Sequence, residues 1–193
     1  MSIQLLVGLN NPGPQYARTR HNAGAWLVQQ WAQREHLTFR FEKKFHGEYA
    51  TYMHGATKVH VLLPNTYMNH SGDAIQAIAH FYKLPPQSIL VAHDELDLPA
   101  GVCKLKTAGG HGGHNGLRDV IEHLGGEFHR LRIGIGHPGH RDRVLDYVLT
   151  QPNQADRQHI DHAIEQVLSV MDPILAGQMQ LAMNQLHTLN PSA

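Results

Sequence analysis

The chain has 193 residues, with 16 Lys plus Arg, 16 Asp plus Glu and 17 His, so its formal net charge at pH 7 is zero. This balance argues against a generic nucleic-acid coat, which would be strongly basic, but it leaves room for a local basic patch. No apolar run approaches the roughly 20 residues that cross a bilayer, and the amino terminus lacks a signal-peptide pattern. The single cysteine, Cys103, excludes an intrachain disulfide framework, and together these features favour a cytoplasmic protein.

Strands and helices alternate along the first half of the chain. The apolar run Ile3–Leu9 predicts a buried strand, and the spacing of apolar residues beyond it predicts a helix over Ala23–His36. Glu48–Met53 and Lys58–Leu63 follow as two strands joined by a turn. Ser71 is expected to cap the amino end of a second helix, which the next proline pair stops.

The alternation continues in the second half. Ser88–His93 predicts a buried strand and Val102–Lys106 a further strand. The stretch Gly109–Gly116 is too rich in glycine for regular structure. Leu117–Leu124 then predicts a short helix and Leu131–Ile135 another strand.

The last third is predicted to be helical. Asp142 is expected to cap one helix, the apolar spacing from Ile160 to Met171 predicts a longer one, and Pro173 begins another that reaches Leu189. Strands that alternate with helices predict one α/β domain over residues 1–193, including these helices. Its sheet is expected to be twisted, mixed and mostly parallel, with helices on both faces.

Three polar loops directly follow predicted strands, and they are the first place to look for chemistry. They are Asn10–His21, Asn65–Asn69 and His93–Asp97, and the glycine-rich loop is a fourth. In open α/β sheets ligands bind beyond the carboxyl ends of the strands, so these loops are expected to meet at one edge.

His21 and Asp94 are the candidate acid–base pair. A histidine with an ordinary pKa of about 6.5 accepts a proton near neutral pH, and a carboxylate on its other ring nitrogen fixes the tautomer. The alternatives are an exposed loop histidine and an aspartate that only caps a turn. Cys103 lies in a predicted strand and no Gly-x-Ser-x-Gly elbow occurs, so a hydrolase would use a water activated by His21.

Asn11, Asn69 and Asn115 each lie in one of these loops. An amide side chain offers a donor and an acceptor without charge, which suits an amide or ester substrate. Asparagine is also an ordinary turn residue, so each of the three has that alternative.

Basic residues lie near the same loops. Lys104 and Lys106 share one face of a predicted strand, as Arg130 and Arg132 do, and such pairs could contact phosphates or form a solvated face. The glycine-rich loop leads into a helix amino terminus, which favours anions.

A metal site is a further alternative. His111 and His114 are three residues apart and, with Asp94, could suggest metal ligands. Their spacing is not His-Glu-x-x-His, and no fixed cluster of partners accompanies them, so no metal is expected.

Five motifs occur in a fixed order along the chain. They are Val7-Gly8-Leu9-x-Asn11-Pro12-Gly13-x-x-Tyr16-x-x-Thr19-Arg20-His21-Asn22, Pro64-x-Thr66-Tyr67-Met68-Asn69-x-Ser71-Gly72, His93-Asp94-Glu95-Leu96-Asp97-Leu98-Pro99, Gly109-Gly110-His111-Gly112-Gly113-His114-Asn115-Gly116-Leu117 and Arg130-Leu131-Arg132-Ile133-Gly134-Ile135-Gly136. In these motifs the chain resembles the bacterial peptidyl-tRNA hydrolases over nearly its whole length, apart from the carboxyl-terminal helices.

The resemblance implies an enzyme that hydrolyses the ester between a peptide and the 3′ ribose of tRNA, so that tRNA returns to translation. It implies no metal or organic cofactor, no membrane, no obligate protein partner and a cytoplasmic monomer. His21 would be the general base, Asp94 would orient it, and Asn11 and Asn69 would bind the peptide near the scissile carbonyl. Asn11 would also favour N-blocked over free aminoacyl groups.

The resemblance also implies a set of positions that contact the substrate or the tRNA. They are Tyr16, Tyr67, Met68, Asn69, His114 and Asn115, with Lys106 and Arg132 on the 5′ phosphate. Two other classes of function stay open from the residues alone. One is a tRNA-binding module without catalysis, based on the basic pairs; the other is a metal-dependent hydrolase, based on His111 and His114.

Overall fold

The structure is a computed structural model that describes residues 1–193, and its seven strands form one sheet. The strands are β1 (Leu5–Gly8), β2 (Arg40–Glu42), β3 (Gly47–His54), β4 (Thr57–Pro64), β5 (Ile89–Glu95), β6 (Cys103–Thr107) and β7 (His129–Gly134). The helices are α1 (Ala23–Arg34), α2 (Ser71–Phe81), α3 (Asn115–Leu124), α4 (Val144–Val148), α5 (Gln154–Leu168), α6 (Met171–Leu175) and α7 (Met179–Leu189). No helix is both long enough and apolar enough to span a membrane.

The centre of the sheet is parallel. Its strand order is β2-β3-β4-β1-β5-β7-β6, in which β1 pairs in parallel with β4 and β5, and β5 pairs in parallel with β7. The outer pairs β2–β3, β3–β4 and β6–β7 are antiparallel. Five of the seven strands (β2, β4, β1, β5 and β7) therefore point the same way, which confirms the predicted mixed, mostly parallel sheet.

Helices cover both faces of the sheet, as predicted. Leu6 and Leu90 pack with α1, α5, α6 and α7 on one face. Val7 and Val91, the next residues along each strand, pack with α2 and α3 on the other face. The central strands are buried on both sides, which explains why they read as continuous apolar runs rather than as alternating patterns.

Gly24 allows α1 to approach the sheet closely. A Cβ at this position would lie 2.1 Å from the carbonyl oxygen of Ala92 on β5, a separation that real Cβ atoms essentially never show. Because Gly24 follows the Arg20–Asn22 turn by two residues, this contact also holds that turn against the end of β5.

Two predicted helix caps are wrong. Ser71 is the first residue of α2, and its hydroxyl donates to the carbonyl of Met68 at 2.7 Å instead of accepting from a helix amide. Asp142 lies inside a 3₁₀ turn, where its own amide donates to Nδ1 of His140 at 3.1 Å. In both places a 3₁₀ turn precedes the α-helix, so the chain turns earlier than a simple cap pattern indicates.

Two further differences concern short elements. The helix predicted from Pro173 to Leu189 is two helices, α6 and α7, separated where Gly177 adopts a φ of +77°. This left-handed conformation ends a helix and favours glycine. The strand β2 was not predicted, because three residues are too few to show an alternating pattern.

Candidate active site

Three chain segments meet beyond the carboxyl ends of the neighbouring parallel strands β4, β1 and β5. They are the turn Met68–His70 after β4, the turn Arg20–Asn22 after β1, and the last residues of β5. The loops predicted to converge do so because β1 lies between β4 and β5 in the sheet.

His21 and Asp94 form a buried pair in this region. Nδ1 of His21 lies 2.9 Å from Oδ2 and 3.1 Å from Oδ1 of Asp94. An ionised carboxylate only accepts hydrogen bonds, so Nδ1 carries the proton and Nε2 has a free lone pair. Nε2 has no hydrogen-bond partner within the protein, and the ring lines a cavity of about 230 Å³.

The environment shifts the pKa values of His21 and Asp94 in the directions that keep Asp94 ionised. Burial alone would lower the pKa of His21, but the charge of Asp94 and its hydrogen bond outweigh burial and raise this pKa above 6.5. Burial alone would raise the pKa of Asp94, but His21 and His114 hold it well below its ordinary range. His21 can therefore exchange a proton while the charge of Asp94 stays fixed.

His114 supplies a second hydrogen bond to Asp94, and its tautomer is set by a helix end. Its Nδ1 accepts from the amides of Gly116 and Leu117, at 3.0 and 3.2 Å, as the N-cap of α3. Nε2 must then carry the proton, which it donates to Oδ1 of Asp94 at 2.7 Å. The same side chain thus joins the amino end of α3 to the carboxylate that orients His21.

His93 contacts both Asp94 and His114. Its side chain is buried, and burial lowers its pKa to about 4, so the ring is neutral near pH 7. Nδ1 donates to the backbone carbonyl of Asp94 at 2.8 Å, and the ring meets the His114 ring edge-on at 5.3 Å. The sequence pattern gave His93 no role, because a histidine inside a buried strand shows its contacts only after folding.

The amide of Asn11 is oriented by its neighbours. Its backbone amide donates to Oδ1 of Asn22 at 2.9 Å, and its own Oδ1 accepts from the amide of Met68 at 2.6 Å. Nδ2 of Asn11 is therefore the group left to act as a donor. The bond to Met68 also ties the loop after β1 to the turn after β4, while Asn22 ties it to His21.

The other residues predicted to contact the substrate lie in the loops around the His21–Asp94 pair. Tyr16 and Tyr67 meet edge-to-face at 6.5 Å, and the Tyr67 side chain is exposed. Asn69 is exposed in the turn after β4, and Asn115 is the first residue of α3, where it lines the cavity. Asn11, Asn69, Tyr16, Tyr67 and Met68 do not line this cavity, so the predicted contact residues fall into two adjoining groups.

The cavity has two different walls. One part of its lining comes from the glycine-rich loop and α3, and another part comes from the short helix α4. The α4 wall is apolar, from Val144, Leu145 and Val148, and Arg141 lies at its edge. These residues were not predicted as part of the site, because α4 follows β7 in sequence and reaches the cavity only through the tertiary fold.

Lys106 and Arg132 lie on the adjacent strands β6 and β7. In the antiparallel register Lys106 faces Arg130 and Arg132 faces Lys104, so Lys106 and Arg132 are diagonal neighbours on one face. Lys106 is exposed, and Nε of Arg132 donates to Oε1 of Glu95 at 2.8 Å. Because Glu95 also lines the cavity, Arg132 is held beside it.

The expectation that Arg130 could contact phosphate with Arg132 is wrong. Arg130 is buried, and its guanidinium donates to the carbonyls of Phe128 and Gly109, at 2.6 and 2.5 Å. It therefore supports the start of the glycine-rich loop from beneath, and no donor is left facing solvent.

Two groups of side chains could hold a metal ion by composition. The first is His21, Asp94 and His114, where the hydrogen bonds described above already occupy Nδ1 of His21 and both ring nitrogens of His114. The second, Asp73, Asp119 and His123, joins α2 to α3 away from the cavity. His111, which suggests a metal site with His114 in the sequence, belongs to neither group, and its Nδ1 accepts from the amide of Gly113.

Cys103 lies outside the site, as expected. It is buried in β6, and burial raises the pKa of its thiol to about 12, so it does not ionise near neutral pH. The site therefore contains an imidazole, an ionised carboxylate and neutral amide side chains, with no ionised thiol.

A family model described as peptidyl-tRNA hydrolase matches residues 5–193. The chain is 54% identical over 188 residues to the peptidyl-tRNA hydrolase of Legionella pneumophila strain Lens, covering 97% of this chain and 100% of that protein. It is 50% identical over 193 residues to the peptidyl-tRNA hydrolase of Tolumonas auensis, covering 99% and 98%.

Solved structures agree with these relatives. A crystal structure of peptidyl-tRNA hydrolase in complex with N-propanol superposes with a TM-score of 0.93 at 49% identity, covering 95% of this chain and 94% of that one. The enzyme from Acinetobacter baumannii gives a TM-score of 0.92 at 50% identity, with the same coverage.

Proposed function

Because this chain belongs to the peptidyl-tRNA hydrolase family, we propose that His21 activates the water that cleaves the ester between a peptide and the 3′ ribose of tRNA. The observation that carries the proposal is the buried His21–Asp94 pair, with Nε2 of His21 unpartnered in a ring that lines the cavity. A base of this kind is needed because the cavity lining contains no serine, threonine or cysteine that could act as the nucleophile.

The reaction follows from these positions. Nε2 of His21 takes a proton from water as the oxygen attacks the ester carbonyl, and the charge of Asp94 stabilises the imidazolium that forms. The tetrahedral intermediate then collapses and expels the 3′ oxygen of the ribose. That oxygen takes the proton back from Nε2, so the histidine is regenerated and the products are a free peptide and free tRNA.

Asn11 is proposed to hold the acyl part of the substrate. Its Oδ1 is occupied by the amide of Met68, so Nδ2 is available to donate to a substrate carbonyl or to the developing oxyanion. Asn69, in the same turn as Met68, offers a second amide to the peptide.

The tRNA is proposed to lie across the cavity and the β6–β7 surface. Asn115, His114, Tyr16, Tyr67 and Met68 are proposed to contact the acceptor end. A neutral protein with local cations suits one nucleic-acid end better than a long duplex.

The basic residues beside the cavity are proposed to hold the 5′ phosphate. Lys106 is exposed, and Arg132 is oriented beside the cavity by Glu95. We propose that the enzyme acts as a cytoplasmic monomer without a metal.

The decisive experiment is release of N-acetylated amino acid from N-acetyl-aminoacyl-tRNA, measured with and without excess chelator. We expect equal turnover in both conditions. Loss of activity in chelator that returns with a divalent metal would instead favour a metal at His21, Asp94 and His114. Tight tRNA binding without ester cleavage would favour a binding module and contradict the proposed function.

Replacing Asn11 by aspartate is expected to weaken discrimination against free aminoacyl-tRNA. The carboxylate can still accept from the amide of Met68, but it cannot donate, and its charge attracts the free α-ammonium. We expect the ratio of kcat/KM for N-acetyl-aminoacyl-tRNA over aminoacyl-tRNA to fall by about tenfold or more. Asn65→Asp, in an exposed position of the next loop, is the matched control, and an unchanged ratio in Asn11→Asp would remove Asn11 from this role.

A further inference from the structure

Arg20, the residue before the candidate base, is a buried cation without a carboxylate partner. Its exposed fraction is 8%, and no Asp or Glu forms an ion pair with it. Nη1 instead donates to the backbone carbonyls of Tyr147 and Thr150, at 2.9 and 3.1 Å. The guanidinium also lies over the Tyr147 ring, 3.8 Å from its centre.

One carbonyl belongs to Tyr147 in the last turn of α4, and the other belongs to Thr150, two residues beyond the end of that helix. The last carbonyls of a helix have no partner inside the helix, and a cation there satisfies them and matches the helix dipole. The backbone amide of Arg20 donates to Thr150 as well, at 3.1 Å. The side chain and the main chain of Arg20 thus both hold the end of α4.

Helix α4 needs such support, because it has only five residues, Val144–Val148. Isolated helices shorter than roughly 12 residues are marginal in water, so tertiary contacts must stabilise this one. Its other anchor is the Tyr147 hydroxyl, which donates to the carbonyl of Ile135 at 2.6 Å. The ring that Arg20 covers is therefore itself fixed to the end of β7.

Other residues of α4 form the apolar wall of the cavity. Val144 and Val148 line it with Leu145, whose side chain is 62% exposed although it is large and apolar. His21 lines the same cavity, and it directly follows the residue that holds α4. One of the two anchors of the wall is therefore adjacent in sequence to the candidate base.

We propose that Arg20 is a positioning residue that holds α4 against the turn Arg20–Asn22 and so sets how tightly the cavity binds the substrate. Its role in catalysis rests on the proposed function, whereas its effect on α4 does not. Arginine suits this position because one planar group donates to two carbonyls and stacks on a ring, which the ammonium of lysine does not do.

The test compares Arg20→Gln, Arg20→Lys and Tyr147→Leu with the matched control Arg157→Gln. The guanidinium of Arg157 also stacks on an aromatic ring, 3.6 Å from the centre of Trp26, but it lies on α5 and pairs with Asp161. Two quantities are measured for each protein: kcat and KM for N-acetyl-aminoacyl-tRNA, and hydrogen exchange of the backbone amides of residues 144–150 without substrate.

Arg20→Gln is expected to raise KM by about tenfold while kcat changes by less than about threefold, because a displaced wall loses binding common to the ground and transition states. Exchange at residues 144–150 is expected to become faster, with no change in β5. Arg20→Lys should fall between wild type and Arg20→Gln in both measurements. The control should match wild type.

Wild-type exchange at residues 144–150 in Arg20→Gln, or a fall in kcat with KM unchanged, would overturn the proposal. If Arg20→Gln does not fold, Tyr147→Leu removes the same stacking from the other side and carries the same two readouts. Failure of the proposed function is recognised separately, as absence of ester cleavage by the wild-type protein, and leaves the exchange measurement intact.

Discussion

Replacing His21 by alanine is expected to lower kcat on N-acetyl-aminoacyl-tRNA by about 10²–10⁴-fold, the usual contribution of a general base. The variant lacks the imidazole whose unpartnered nitrogen Nε2 belongs to the ring that lines the cavity, while Asp94 keeps its hydrogen bond from His114. KM should change much less than kcat, since the cavity walls and the basic residues do not depend on His21. The measurement is steady-state ester release, with thermal unfolding to verify the fold.

A second buried histidine provides the matched control for this result. His60 is 5% exposed and pairs with the Tyr49 hydroxyl at 2.6 Å, on strand β4 and outside the cavity. His60→Gln should retain wild-type turnover. Imidazole added to His21→Ala should restore part of the rate, because the deleted ring leaves space next to Asp94. Turnover near the wild-type value in His21→Ala would contradict the proposed base.

Replacing Asp94 by asparagine is expected to lower kcat by about 10²–10⁴-fold, because the tautomer of His21 is no longer fixed. The N–H groups of His21 and His114 both donate to the carboxylate of Asp94. The amide of asparagine has only one oxygen that can accept these two hydrogen bonds. The new NH₂ group would face Nδ1 of His21 and favour the tautomer with the proton on Nε2. That tautomer has no lone pair toward the water.

The rate–pH profile of the same variant distinguishes this role from general destabilisation. In the wild type Asp94 raises the pKa of His21 above 6.5, so activity should rise with pH through a value above 6.5 as the base form appears. Without the carboxylate only burial acts, and burial lowers the pKa of a histidine. The acid limb of the Asp94→Asn profile should therefore move to lower pH, even though the maximal rate of this variant falls.

Asp119→Asn is the control for this shift. Asp119, like Asp94, lies beside a histidine, His123, but it accepts from the backbone amide of Gly72 at 2.7 Å and belongs to the contact between α2 and α3. Its variant should keep the wild-type acid limb. A wild-type limb in Asp94→Asn as well would remove Asp94 from the titration of the base.

Much of the candidate site could be predicted from the order of residues along the chain. Buried strands read as apolar runs, and the polar residues that follow them must lie at strand ends, so His21 and Asp94 could be expected at one edge of the sheet. The absence of a nucleophile there pointed to activated water. The family could also be inferred, because its motifs lie in these same loops.

Other features could not be predicted because they depend on contacts between distant segments. His114 was expected to contact substrate, and only the geometry shows that it caps α3 and donates to Asp94. The sequence pattern predicts that Arg130 forms a surface pair with Arg132, but Arg130 is buried and donates to a carbonyl of the glycine-rich loop. The apolar wall from α4 could not be assigned, since its helical spacing does not say which element it faces.

The sequence by itself determined the local elements and the chemistry of their side chains, because strand and helix periods and turn residues act over a few neighbours. The tertiary structure decided which side chains share a site, because that depends on the strand order β4-β1-β5 and on close approach at Gly24. It also decided protonation and orientation at His21, since these follow from burial and from hydrogen bonds to residues up to 73 positions away. Arg20 combines the two levels: its place beside His21 is fixed by the chain, and its hold on α4 exists only in the folded protein.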